Sequence, residues 1–215
     1  MKIRIVLTLA WCVGGTAAFA APIQPNRSAI TIALRDYLAK QGNFCLGKFD
    51  WPIDVSERDV QMGTRDAVQM PVLEKLGLVV SSEASVIRGT SATEEEIVLV
   101  RRYALTKAGE KFYLKREAVR TTADGEKTVH YGDFCAAKVS LNRLIRWDEP
   151  TIVGGYQEIA ATYTYKITPA GWAHDEEIRR VFPMIDRIIR GERTLQLQQR
   201  FRFVGKSWVA VNAVE

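Results

Sequence analysis

The side chains in this sequence that could do chemistry are two histidines, three cysteines and the acids, with Asp148-Glu149 foremost among them. A bound metal needs three or four ligands, and paired histidines usually stand one helical turn apart. His130 and His174 have no such spacing and are expected in surface turns, near Asp133 and Asp175. Glycoside cleavage needs two carboxyl groups flanking the bond to be broken. Neighbouring strand residues point to opposite faces, and Pro150 marks a turn, so Asp148 and Glu149 are expected in a solvated loop. Cys135 and His130 could act as nucleophile and base, but a bond from Cys135 to Cys45 would disable them. No G-x-S-x-G elbow, P-loop or G-x-G-x-x-G is present. The sequence thus predicts no catalytic residue, no metal ligand and no cofactor.

Whether the two cysteines pair depends on the compartment. The chain opens Met1-Lys2-Ile3-Arg4, runs through apolar residues from Ile5 to Val13, and reaches Ala18-Phe19-Ala20. This is the pattern of a secretion signal cleaved between Ala20 and Ala21. The apolar run is shorter than the roughly 20 residues of a spanning helix. Trp11 is too large to precede a lipidated Cys12. Residues 1–20 are therefore expected to leave, taking Cys12 with them. The mature protein is expected in the periplasm, where Cys45 and Cys135 would form a disulfide. Closing so long a loop stabilises a fold by roughly 4 kcal/mol. Two buried free thiols are the competing reading.

The composition, 47% hydrophobic and 26% charged, suits a protein with a full core. Loss of Lys2 and Arg4 takes the net charge from +5 to +3. So mild an excess does not argue for nucleic acid, although it would favour anionic envelope surfaces. No stretch after the leader is long and apolar enough for a stable membrane span.

Ser28 is placed to cap a helix toward Gly42, with Ile30, Ala33, Leu34, Tyr37 and Leu38 on one face. Phe44 to Trp51 reads as a strand ended by Pro52, and Ser56 with Asp59 as a capping box. A helix is expected over Thr64–Leu76, kinked near Pro71 and stopped by Gly77. A long hairpin follows, with its tip near Gly89-Thr90-Ser91, and Thr106 caps a helix from Lys107 to about Arg116. Thr121 to Glu126 is a turn and the expected boundary between halves. Beyond it come strands over Phe134–Trp147 and Glu158–Thr168 and a helix over Asp175–Arg190 restarted at Pro183. A closing hairpin turns at Gly205-Lys206. Arg179, Arg180, Arg187 and Arg190 form a basic helix face open to solvent or an acidic partner. Trp147, Trp172 and Trp208 are expected in the core or at its rim; an exposed one would mark a binding surface.

Two motifs recur. Gly42-Asn43-Phe44-Cys45-Leu46-Gly47-Lys48 is echoed by Gly132-Asp133-Phe134-Cys135-Ala136-Ala137-Lys138, and Tyr103-Ala104-Leu105-Thr106-Lys107-Ala108-Gly109 by Tyr165-Lys166-Ile167-Thr168-Pro169-Ala170-Gly171. Either an old duplication or two ordinary strand-to-helix joints would produce this.

Met70-Pro71-Val72-Leu73-Glu74-Lys75-Leu76-Gly77-Leu78-Val79, a charged hairpin and the Tyr103–Gly109 motif together resemble a winged helix of the MarR kind, over residues 28–116. The resemblance implies that topology, with Thr64–Leu76 in the place of a recognition helix. DNA binding does not follow, because Arg65 and Lys75 are offset by Asp66 and Glu74. Phe134-Cys135, Trp147-Asp148-Glu149-Pro150, Trp172-Ala173 and Phe182-Pro183 resemble uncharacterised exported proteobacterial proteins, which implies a periplasmic address and no particular activity.

The expected fold class is α+β: a signal over 1–20, a winged-helix-like unit over 21–120, and a strand-rich unit with one long helix over 121–215. The expected function is non-enzymatic binding of an envelope protein or cell-surface component, without nucleic acid. An envelope hydrolase with a site assembled from distant residues, and an inhibitor or immunity-type protein, are the alternatives.

Overall fold

A computed structural model describes residues 23–89, 96–121 and 125–211. The expected signal, its Ala20–Ala21 cleavage point and the hairpin tip at Thr90-Ser91 lie outside them. The fold is α+β, with a seven-stranded antiparallel sheet, a three-stranded one, a separate two-stranded ribbon, and helices packed on the first two.

Helix α1 (Arg27–Gln41) is capped by Asn26, whose side chain accepts from the Ala29 amide; Ser28, the expected cap, lies inside the first turn. Asn26 wins because its extended backbone aims the side-chain oxygen at the free amides. Strand β1 is confined to Asn43–Cys45, so the strand expected over Phe44–Trp51 stops after two of its residues. Gly47 adopts φ 68°, and Asp133 accepts from the Gly47 and Lys48 amides, which bends the chain out of the sheet. The chain re-forms as β2 (Ile53–Ser56) in the other sheet.

Ser56 and Asp59 make the capping box of α2 (Glu57–Gln61). Helix α3 (Arg65–Lys75) carries Pro71 within it and ends before Gly77, at φ 70°. Strands β3 (Val79–Arg88) and β4 (Glu96–Leu105) form the long hairpin, and the small sheet has the order β2-β4-β3. Thr106 caps α4 (Lys107–Glu110), which ends well short of Arg116 because Tyr113–Leu114 is drawn into strand β5, paired with Phe134 and Asp133. Gly109 is required at this joint: a Cβ there would lie 2.0 Å from the Leu78 carbonyl oxygen.

Strands β6 (Ala118–Thr121) and β7 (Lys127–His130) pair with each other; the Asp124 part of the expected turn lies outside the described residues. The large sheet is built on β8 (Asp133–Trp147) and β10 (Tyr156–Pro169), with β9 (Thr151–Val153) hairpinned onto β10. A 3₁₀ turn (Gly171–His174) leads to α5 (Glu176–Val181), capped by Asp175, and Pro183 starts α6 (Pro183–Arg190). Strands β11 (Leu197–Val204) and β12 (Ser207–Ala210) close the path β1-β8-β10-β11-β12.

Two cores result, and each draws on both ends of the chain. In one, Ile178, Phe182 and Ile185 of α5 and α6 meet Met70, Leu73, Val79 and Tyr103 of the first half. In the other, Ile30, Leu34 and Leu38 of α1 lie against Tyr163, Tyr165, Phe201 and Trp208 of the large sheet. Cys45 and Cys135 sit opposite each other on β1 and β8 and are bonded. Asn43, Phe44 and Cys45 of the first echoed motif thus face Lys138, Ala137 and Cys135, antiparallel.

Candidate binding surfaces

The side chains singled out for chemistry are mostly consumed by structure. Cys135 is oxidised and offers no nucleophile. His130 does not meet Asp133: its Nδ1 lies 3.0 Å from Asp50, and its ring stacks on Phe49 with centroids 4.1 Å apart. Asp133 faces the 46–52 segment from below. Burial pushes its carboxyl up, against the pull of the Lys48, Phe134 and Gly47 amides. Tyr113 donates to the Phe49 carbonyl; burial, then Asp50 and Asp133, push its phenol up. Lys48 is buried and ion-paired with Asp66. The cluster pins the segment that links the two sheets.

The other candidates remain apart. Asp148 lies 3.5 Å from Arg146, and both Asp148 and Glu149 are exposed, as expected for a loop. His174 is exposed in the 3₁₀ turn. Among the described residues no group of three or more His, Cys, Asp or Glu could hold a metal. The arginines of α5 and α6 are largely answered locally: Arg179 and Arg190 by Asp186, and Arg180 by Glu177. None of the three flagged tryptophans is exposed. Trp172 packs between Phe112 and Phe134, Trp208 against Phe203, and Trp147 beneath the Arg27 guanidinium.

The surface features that stand out are an apolar groove and a polar sheet face. The groove, about 920 Å³, runs between α2–α3 and the β3–β4 hairpin, lined by Val55, Val60, Ala67, Pro71, Leu99 and Tyr103. Register puts Ile87 opposite Ile97 and Leu99 two residues further along, on the side of the sheet that carries Tyr103. Tyr103 is covered by α3, but the hairpin outruns the helices. Leu99 stays 79% exposed, Ile97 74%, Ile87 67% and Val60 61%. Strand β3 is an edge of its sheet, and the Ser81 amide, turned outward, is taken by Glu74. That bond, from side chain and backbone of Ser81, holds the Glu74 carboxyl below its usual range against its burial, with help from Arg101. The groove was missed in the sequence because Ile97-Val98-Leu99-Val100 is an unbroken apolar run. Such a run reads as a strand buried on both sides.

The polar face belongs to the large sheet. Positions paired in register share a side, so α1 covers Leu144, Ile159, Ala161, Tyr163, Tyr165 and Phe201. The opposite side carries Glu158, Thr162 and Thr164 of β10, with Arg146 and Arg143 of β8 and Arg200 and Arg202 of β11 alongside. Glu158 is 2% exposed and held by both Arg200 and Arg202. Burial alone would push its carboxyl up; the hydrogen bonds from Arg202 and Arg200 outweigh that and leave it lowered.

No family model, curated protein or solved structure matches this chain.

Proposed function

We propose that this chain is an exported, non-enzymatic binding protein of the bacterial periplasm, and that it receives an extended segment of an envelope protein in the groove beside β3. The observation that carries the reading is the exposed apolar patch of Ile87 on the edge strand β3, Ile97 and Leu99 on its neighbour β4, and Val60 on α2. Exposed apolar patches of this kind accompany interaction sites, and an open strand edge can take an added strand whose side chains fill the groove. The oxidised Cys45–Cys135 pair and the Met1–Ala20 leader support an oxidising destination. No helix among the described residues is long and apolar enough to cross a membrane.

The stretch from β2 to β4 is proposed to be a winged-helix-like unit. It is supported by the order β2-β4-β3 and by the helix pair that precedes the hairpin. It differs from that pattern in its first helix: α1 packs on the large sheet, and α5 lies against α3. A DNA reading gains no support from α3, whose Lys75 is 2.7 Å from Glu177 and whose Glu74 binds Arg101.

The test is retention of periplasmic proteins on the immobilised wild type and on the Ile97→Asp/Leu99→Asp variant. Both positions are solvent-exposed, so the variant should fold with stability within about 0.5 kcal/mol of wild type. A partner held by the wild type and lost by the variant is expected. A partner held equally by both, or a hydrolytic activity abolished by His130→Ala, refutes the reading. N-terminal sequencing of the exported protein should begin at Ala21.

A further inference from the structure

The open face of the large sheet carries a charge pattern that the groove does not explain. Lys138, Arg143 and Arg146 of β8, Lys166 of β10, and Arg200 and Arg202 of β11 share it by register. All but Arg202 are exposed. Against these six cations the described strands place one carboxylate on that face, Glu158, and it is buried between two of them. The surplus of five exceeds the net charge of +3 left once Lys2 and Arg4 are gone. The positive charge is therefore concentrated on one face of the sheet. Thr162 and Thr164 lie buried in its floor, between the long side chains. Asp148, just past β8, answers Arg146 alone.

One corner of this face is apolar. Val153 pairs with Tyr156, and Val209 with Arg202, which places Val153, Tyr156 and Val209 on the same side; Val204, two residues past Arg202, joins them. All four are exposed, and the Arg202 guanidinium lies 4.7 Å above the Tyr156 ring. A tyrosine with aliphatic neighbours, beside cations, suits the boundary between lipid headgroups and acyl chains.

From these observations we infer that this face docks on an anionic lipid bilayer, with its cations over the headgroups and the Val153–Tyr156–Val204–Val209 corner at the boundary. The inference does not rest on the groove, which lies on the other sheet. A broad array of separated cations matches a fluid layer of headgroups, which rearrange beneath fixed charges. A single nucleic-acid strand would want aromatic platforms along its path, and the cationic part of the face has none. A protein partner would want a desolvated central anchor, whereas the centre here is arginine and lysine.

The experiment is sedimentation of the protein with vesicles of phosphatidylcholine alone or phosphatidylcholine with phosphatidylglycerol. Binding to the anionic vesicles that weakens as salt rises is expected, since surface attraction falls off over a Debye length. Each cation near such a surface contributes about a fivefold factor, so Arg143→Gln/Lys166→Gln should weaken binding about 25-fold. Arg58→Gln/Arg65→Gln, which removes the same charge from α2 and α3, should change it less than about threefold, because those helices pack on the small sheet and not on the charged face. Val204→Asn should weaken binding with the salt dependence kept. Equal binding to neutral vesicles overturns the inference, as does an equal loss in both double variants. Binding to soluble polyphosphate that is tighter per phosphate than binding to vesicles also overturns it, and assigns the face to a soluble polyanion.

Discussion

Replacing both cysteines, Cys45→Ser/Cys135→Ser, tests how the protein uses its crosslink. The bond joins positions 90 residues apart, and its chief effect is on the unfolded chain, which it forbids to expand. For a loop of that length the lost chain entropy corresponds to about 4.5 kcal/mol at 25 °C. The folded state should lose little, because β1 stays placed by the Val139 amide donating to the Gly42 carbonyl and the Leu46 amide to the Phe134 carbonyl. Urea unfolding followed by tryptophan fluorescence is a suitable assay, since Trp51 and Trp172 pack in the first core. The midpoint should fall by the equivalent of 3–5 kcal/mol, roughly 10–15 °C in melting temperature for a chain of this size. The slope with urea should rise, because a freed unfolded chain exposes more surface. A loss below about 1 kcal/mol would refute the reasoning. So would a full loss with an unchanged slope, which would place the effect in the folded state.

Glu158→Gln leaves Arg200 and Arg202 without their buried charge and should cost about 1.5–3 kcal/mol, read by the same unfolding. Because the folded carboxyl is lowered, its contribution is complete above the ordinary carboxylate range and lost as pH falls through the lowered value, so the variant should lose less stability than wild type between neutral and acid pH. Gly42→Ala would set a Cβ 2.3 Å from both the Leu38 and Val139 carbonyl oxygens, and should cost at least about 1–3 kcal/mol by calorimetry as α1 is pushed off β8.

What the sequence made legible was local. The Ser56–Asp59 capping box, the stop at Gly77, the Thr106 cap and the restart at Pro183 all depend on chemistry within a few residues, and each is found where its motif stands. The disulfide was legible from the cysteine count together with the expected, oxidising destination. What failed needed distant partners. The 44–51 strand is broken by Asp133, some 85 residues away, and the 107–116 helix is cut short by pairing of Tyr113 with Phe134. The groove, likewise, required knowing that β3 and β4 extend past α2 and α3.

The basic face was hidden for a more particular reason, which can be tested. Along β8 strict alternation would put Leu144 with Lys138, Ser140 and Arg146, mixing a core residue into the polar side and sending Arg143 inward. The register avoids this by two shifts: Arg146 pairs with Thr162 and Leu144 with Tyr163, then Arg143 with Thr164 and Leu141 with Tyr165, so that Ile145 and Asn142 are passed over. Each shift adds one residue to β8 and restores the correct side to those that follow. Deleting Ile145 should therefore regularise the ladder while Leu144 stays buried and Arg143 outward, and the protein should fold with a modest loss. Deleting Ser140, a paired residue, should instead turn everything on one side of the cut to the wrong face and prevent folding. Circular dichroism and cooperative unfolding of the two deletions decide the matter. Equal tolerance of both would mean that register in β8 is not what separates the apolar side of the sheet from the charged one.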